Sequence, residues 1–294
     1  MTHIWFSIIN LVPTLLILVL VALGSIESLS PGPDLSSHTV VLSVDDGYQS
    51  VYDNIFPLLK RYHMTMTLAL IANSIGRGTS GYNANAAFLT KAEVQEMIDS
   101  CHIEIASHTL THPWLTRLDS AEAWFEISHS KTVLESLFGT PVITFVYPYG
   151  DMNAKVRRMV KNAGYRLARA VRSGDLNLWV DPYRIPEFEL RIETDLASVQ
   201  HYIRNHRVTV LLLHRIVPQP RSFTEWRLAD FEELLDWLHR NHVRTVTLAD
   251  LEAEWRQERI AKMIQERPGL FRPIDPRRLF QEVDVDATHT SHPR

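Results

Sequence analysis

Short apolar runs alternate with amphipathic stretches along most of the chain. Val40–Val44 has the length and character of a buried strand, and Val51, Ile55, Leu58, Leu59 and Tyr62 then share one helical face. Met66–Ile71 predicts a second strand. A Gly-, Ser- and Asn-rich loop over Asn73–Asn85 leads to a short helix at about 90–100. Ile103–Ala106 is a third strand. The next helix opens at Asp119, turns Ile127, Leu134 and Leu137 inward and stops at Gly139, with Pro141 just beyond. Ile143–Tyr147 predicts a fourth strand, followed by a helix over about 153–163, with weaker strand signals at Tyr165–Ala168 and Arg184–Ile185. Val208–Leu213 is a further buried strand, Leu228, Phe231, Leu234, Leu235 and Leu238 mark a helix, and Arg244–Thr247 a last short strand. Repeated strand–helix units require parallel strands joined by crossover helices. About seven such units predict an α/β fold and fit a (β/α) barrel better than an open sheet.

The two ends depart from this pattern. Before Glu27 the only ionisable groups are His3 and the terminal amine, and Leu15–Leu23 is an unbroken apolar run of nine residues. Residues 1–26 therefore read as a signal peptide or an N-terminal membrane anchor, with Ala22-Leu23-Gly24 as a small-x-small cleavage site. Residues 27–37 form a Ser/Pro/Gly linker, 38–254 the folded domain, and 255–294 a charged, Pro-containing C-terminal tail. This organisation predicts an exported protein: periplasmic, secreted, or membrane-anchored with its domain outside the cytoplasm.

Composition narrows the chemistry. Among 294 residues, 45% are hydrophobic and 22% charged, ordinary values for a folded domain, and the net charge of −4 gives no basic footprint for nucleic acid. One cysteine, Cys101, excludes an internal disulfide framework and a thiolate-rich zinc site. With 14 histidines, a metal site would be built from His with Asp or Glu.

Polar groups gather just past the predicted strands, where a barrel assembles its active site. The first strand runs into Ser43-Val44-Asp45-Asp46-Gly47, whose adjacent carboxylates repel unless a proton or cation lies close. The third runs into Ser107-His108-Thr109-Leu110-Thr111-His112-Pro113, the sole His-x-x-x-His in the chain; Pro113 favours a turn over a helix there. The fourth runs into Tyr147-Pro148-Tyr149-Gly150, a turn able to aim an N–H at a reacting oxygen, and Val208–Leu213 runs into His214. Taken singly, each has a plain structural reading: an Asp-Gly turn, a strand-end histidine, a tight turn. Together they supply what metal-assisted hydrolysis needs, namely ligands, a spare carboxylate, a spare imidazole and a donor turn.

From His38 to Asp250 the chain resembles the polysaccharide deacetylases, metal-dependent carbohydrate esterases of the nodulation-deacetylase homology type. Ser43–Gly47 resembles the first family motif, Thr-Phe-Asp-Asp-Gly. His108–Pro113 matches the second, Tyr147–Gly150 resembles part of the third, and Leu211–His214 the fifth. The resemblance implies a distorted seven-stranded (β/α) barrel, in which Asp46, His108 and His112 hold a divalent metal, Zn²⁺ by preference. It implies that Asp45 is the base for an activated water, His214 the acid for the leaving amine, and the Tyr149 backbone N–H an oxyanion donor. Its substrate would be an N-acetylglucosamine polymer or oligomer.

Two departures stand out. Val146 occupies the place of a third-motif arginine that orients the catalytic aspartate, a form closest to the branch acting on poly-N-acetylglucosamine, and the fourth motif is not cleanly present. Asp181 and Arg184 are candidates to take over charge tuning, Asp181 on His214 and Arg184 on Asp45; both also fit an ordinary surface ion pair. Trp114 and Trp226, with Tyr149 and Trp179, are candidates for stacking on sugar rings, although core or rim packing accounts for such aromatics as well. The competing readings are a small non-sugar amide substrate and an inactive glycan-binding barrel.

Overall fold

The structure, a computed structural model, describes residues 35–78, 87–171, 174 and 176–266. The leader read at 1–26 and the tail beyond 266 lie outside the described residues. Strand β1 (Thr39–Val44) is followed by a π turn at Val51–Ile55 that runs into α1 (Phe56–Tyr62), then β2 (Met66–Leu70), α2 (Lys91–Ser100), β3 (Ile103–Ser107) and α3 (Ser120–Phe138). There follow β4 (Thr144–Val146), α4 (Ala154–Asn162), β5 (Leu167–Arg169), β6 (Phe188–Glu189), α5 (Leu196–Asn205) and β7 (Val208–Leu213). A small parallel pair, β8 (Arg215–Val217) and β9 (Glu225–Arg227), precedes α6 (Leu228–Arg240), β10 (Arg244–Thr245) and α7 (Leu248–Glu266).

The main sheet runs β5-β4-β3-β2-β1-β7-β6 and all of its pairs are parallel, with β10 added beside the start of β1. The sheet curls until one segment touches both edges. Ile185 bridges to Arg169 on β5, and three residues later Phe188 pairs with Leu211 on β7. Residues 185–189 therefore close the seven-strand barrel that the pattern predicts.

Strands covered on both faces read as continuous apolar runs, and β1 and β7 are buried almost throughout for that reason. Helix α3 has its expected limits: Asp119 caps the first turn in a capping box with Glu122, and Gly139 leaves the helix at φ 66°. The period of two along β1 sends Val40, Leu42 and Val44 outward under the helices and Val41 inward. Inside, Val41, Leu167, Ile185 and Val210 pack against Leu248, Leu251 and Trp255 of α7. This helix plugs the end of the barrel where the strands begin, and the Glu104 carboxylate accepts hydrogen bonds there from Thr67, Thr144 and the Ala249 N–H.

The domain end expected at 254 thus falls inside α7, because Trp255 is part of the plug. Helix α5 and the β8–β9 pair were not expected. The former carries its signal in the Asp195 cap with Val199 and Ile203 four apart. Among the described residues no helix is long and apolar enough to cross a membrane.

Replacing Trp255 with Ala should lower the unfolding free energy by about 3 kcal/mol, read as a shifted urea midpoint, because the plug loses its largest side chain.

Candidate active site

The opposite end of the barrel is polar. Val44 and Leu213 are register partners, so Asp45 and His214 leave β1 and β7 side by side, and the Asp45 N–H donates to the Leu213 carbonyl at 2.9 Å. They line a cleft of about 490 Å³ with Asp46, His108, His112, Tyr149 and Phe223, among others. Asp46, Thr109, His112 and Tyr149 all have positive φ, four of the six such non-glycine residues among those described. A left-handed backbone is strained for residues with a Cβ, so its concentration here marks turns shaped to aim side chains. Gly47 and Gly150 share that conformation and tolerate nothing larger. A Cβ on Gly47 would lie 2.5 Å from Leu70, and one on Gly150 2.5 Å from Val171.

The Nε2 atoms of His108 and His112 are 3.1 Å apart, and each lies 3.5 Å from Oδ1 of Asp46. The His108 Nδ1–H donates to the Val146 carbonyl at 2.9 Å, which leaves its Nε2 lone pair facing the group. Burial, reinforced by His108, pushes the His112 imidazole down to about 3, so it is neutral at physiological pH. Burial raises the Asp46 carboxyl. Lone pairs that converge in this way call for a cation. A tetrahedral ion with bonds of about 2.0–2.2 Å keeps its ligands about 3.3–3.6 Å apart, close to the triangle observed. One carboxylate and two imidazoles suit a divalent ion such as Zn²⁺, and among the described residues no other such group of three converges.

Asp45 has a different partner. Burial alone would raise its carboxyl, but the Arg169 guanidinium bonded to it, with His108 and His214 nearby, holds it below the ordinary range. Arg169 is only 1% exposed, and its Nε and Nη1 make no hydrogen bond. Behind it, on the segment that closes the barrel, lies buried Glu187, whose Oε2 is also without a hydrogen bond. Burial lifts the Glu187 carboxyl to about 7 despite the pull of Arg169.

Arg169 thus gives Asp45 a guanidinium that Val146 cannot supply. The strand signal over Tyr165–Ala168 stops one residue short of it. The alternation that turns Leu167 into the barrel turns Arg169 inward as well, and a cation there demands a carboxylate.

Arg184 is exposed and is not the partner of Asp45. Asp181 pairs with Arg157 and accepts from the Tyr183 N–H, which satisfies it away from His214. Trp226 is 2% exposed and its Nε1–H donates to the Thr194 carbonyl at 2.7 Å, so it is a core residue rather than a sugar platform. Just before β9 it is Phe223, 61% exposed, that reaches the cleft.

Residues 32–168 match the family model described as polysaccharide deacetylase. The poly-beta-1,6-N-acetyl-D-glucosamine N-deacetylase of Staphylococcus epidermidis is 34% identical over 160 residues, 50% of this chain and 53% of that one. The chain spans about half the length of the first curated relatives it matches, 47% and 53%. The fold is shared with the peptidoglycan deacetylase PdaC of Bacillus subtilis, with a TM-score of 0.51 and 17% identity over 78% of this chain and 96% of that one. It is also shared with the Streptococcus pyogenes deacetylase PplD, with a TM-score of 0.50 and 20% identity over 55% and 69%. The family match ends at Ala168, one residue short of Arg169.

Two outcomes test the charge arrangement. Arg169→Met should lower the unfolding free energy at pH 7 by about 3–5 kcal/mol, since Asp45 is then buried without its counter-charge. The deficit should shrink towards pH 4 as Asp45 protonates; denaturant titrations at both pH values read it. Glu187 is favoured neutral, so its contribution to stability is full below about pH 4.5 and is lost as pH rises through about 7. Glu187→Gln should therefore be more stable than the parent at pH 8, by on the order of 3 kcal/mol, and equal to it at pH 4.

Proposed function

We propose that this protein is a metal-dependent N-deacetylase that hydrolyses the acetamido groups of N-acetylglucosamine residues in a polysaccharide. The observation that carries the reading is the single cleft in which the Asp46–His108–His112 triad is flanked by an ionised Asp45 and by His214. A zinc ion held by the triad would supply Lewis acidity for the amide carbonyl and for water. Asp45, kept ionised by Arg169, takes a proton from the attacking water. The Tyr149 N–H donates to the oxygen that becomes negative at the tetrahedral carbon. An amine leaves an amide poorly unless it is protonated, and His214 on the neighbouring strand delivers that proton.

Relatives named for deacetylation of a glucosamine polymer support the substrate class. Arg169 answers the one argument for an inactive barrel, the valine at 146. The apolar block at 1–26 supports a place outside the cytoplasm.

Acetate release from N-acetylglucosamine oligomers, measured before and after zinc is returned to metal-stripped protein, tests the proposal. Release should require the metal, and Asp45→Asn and His214→Ala should each lower kcat by about 10²–10⁴-fold. Folded, zinc-loaded protein that releases no acetate would point to another amide.

A further inference from the structure

Trp114 stands two residues after His112, separated from it by Pro113. Its indole lies flat on the ring of Tyr149, with 4.1 Å between centroids and 5° between planes. The Arg117 guanidinium sits over the same indole at 4.3 Å. A coplanar ring at this distance covers one face of the indole, and the cation competes for the rest of a side chain that is 39% exposed.

The contacts continue inward. The Tyr149 ring meets His112 edge-on at 4.5 Å and 65°, and His112 meets His108 at 4.6 Å and 66°. The same two loops are joined a second time, where the N–H and Oγ1–H of Thr116 each donate to the Asp151 carboxylate at 2.8 Å. Both His112 (φ 65°) and Tyr149 (φ 58°) hold left-handed backbones that would relax if nothing packed against them. The loop after β3 and the turn after β4 are thus zipped along one edge of the site.

We infer that Trp114 is a positioning residue: its stack on Tyr149 holds the His112 imidazole and the Tyr149 backbone N–H in fixed relation, and so couples metal retention to turnover. The turnover half rests on the deacetylase reading above, whereas the metal half does not. Tyr149 N–H acts on charge that develops during reaction, so loosening it lowers kcat and leaves KM nearly unchanged.

The test compares the parent with Trp114→Ala, Trp114→Phe, Tyr149→Leu and the double variant Trp114→Ala/Tyr149→Leu. Zinc affinity is read by competition with a chromophoric chelator, and kcat and KM on N-acetylglucosamine oligomers. Trp114→Ala should weaken zinc binding and lower kcat by about 10–100-fold each. KM should stay within about threefold, because substrate binding loses no contact. Trp114→Phe, which restores a flat ring, should recover most of both losses. Tyr149→Leu keeps the backbone N–H and should reproduce the alanine variant, with the double variant no worse than the poorer single one. Should Trp114→Ala not fold, Trp114→Leu against Trp114→Phe makes the same comparison, since both fill the space and only one stacks.

A raised KM with unchanged kcat and zinc affinity would make Trp114 a sugar platform and overturn the proposal. Unchanged zinc affinity in every variant, or losses that multiply in the double variant, would overturn it as well. If the zinc-loaded parent releases no acetate, the deacetylase reading fails and the zinc titrations alone decide the role of Trp114.

Discussion

Two adjacent carboxylates, Asp45 and Asp46, are buried at the mouth of the barrel, and the site is organised around keeping them charged there. Burial disfavours both ions, and each raises the other's proton affinity, so each needs positive charge of its own. Asp45 has Arg169, reached across the barrel from β5. Asp46 has two imidazoles whose Nε2 atoms each lie 3.5 Å from its Oδ1, an arrangement that suits a shared cation. In the proposed mechanism the two aspartates have separate tasks although they are neighbours in the chain, because a carboxylate spent as a metal ligand would be a poor base.

The barrel divides its two ends accordingly. Where the strands begin, Val41, Leu167, Ile185 and Val210 meet α7 in an apolar plug that excludes water. Higher in the barrel, small residues such as Ala69, Ala106 and Val146 fill the space beneath the site. At the far end the charged groups face a cleft open to substrate. The rigid end holds the strands at the spacing that brings Asp45 beside His214 and Arg169 within reach of Asp45. Strained turns after β1, β3 and β4 then carry Asp46, His112 and Tyr149, and this strain persists because the packed strands and the Trp114–Tyr149 stack hold it.

The closing segment 185–189 links fold and chemistry. Ile185 pairs with one edge of the sheet, Phe188 with the other, and Glu187 between them is buried beside Arg169. The closure of the barrel therefore places a second carboxyl behind the ion pair, in a position where its proton affinity is near neutrality.

Local sequence determined the strands and most of the helices, and also the set of side chains that converge on the cleft. Alternation of apolar runs with caps such as Asp119 and Gly139 is a short-range signal, and Asp45-Asp46-Gly47, His108–Pro113 and His214 each follow a strand whose end is visible in the pattern. What depends on contact between distant segments was not legible. Arg169 and Asp45 are 124 residues apart, and choosing Arg169 over Arg184 required knowing which of the two points into the barrel. Trp226 and Trp114 look alike as aromatics near strand ends. Only packing shows that one is core and that the other is stacked on Tyr149. The same holds for Trp255, which read as the start of a charged tail until the open end of the barrel gave its ring somewhere to go. Strand and turn preferences are set within a few residues, whereas the partner of a buried charge or ring is chosen by the whole fold, because the cost of burying it is met only where the chain comes together.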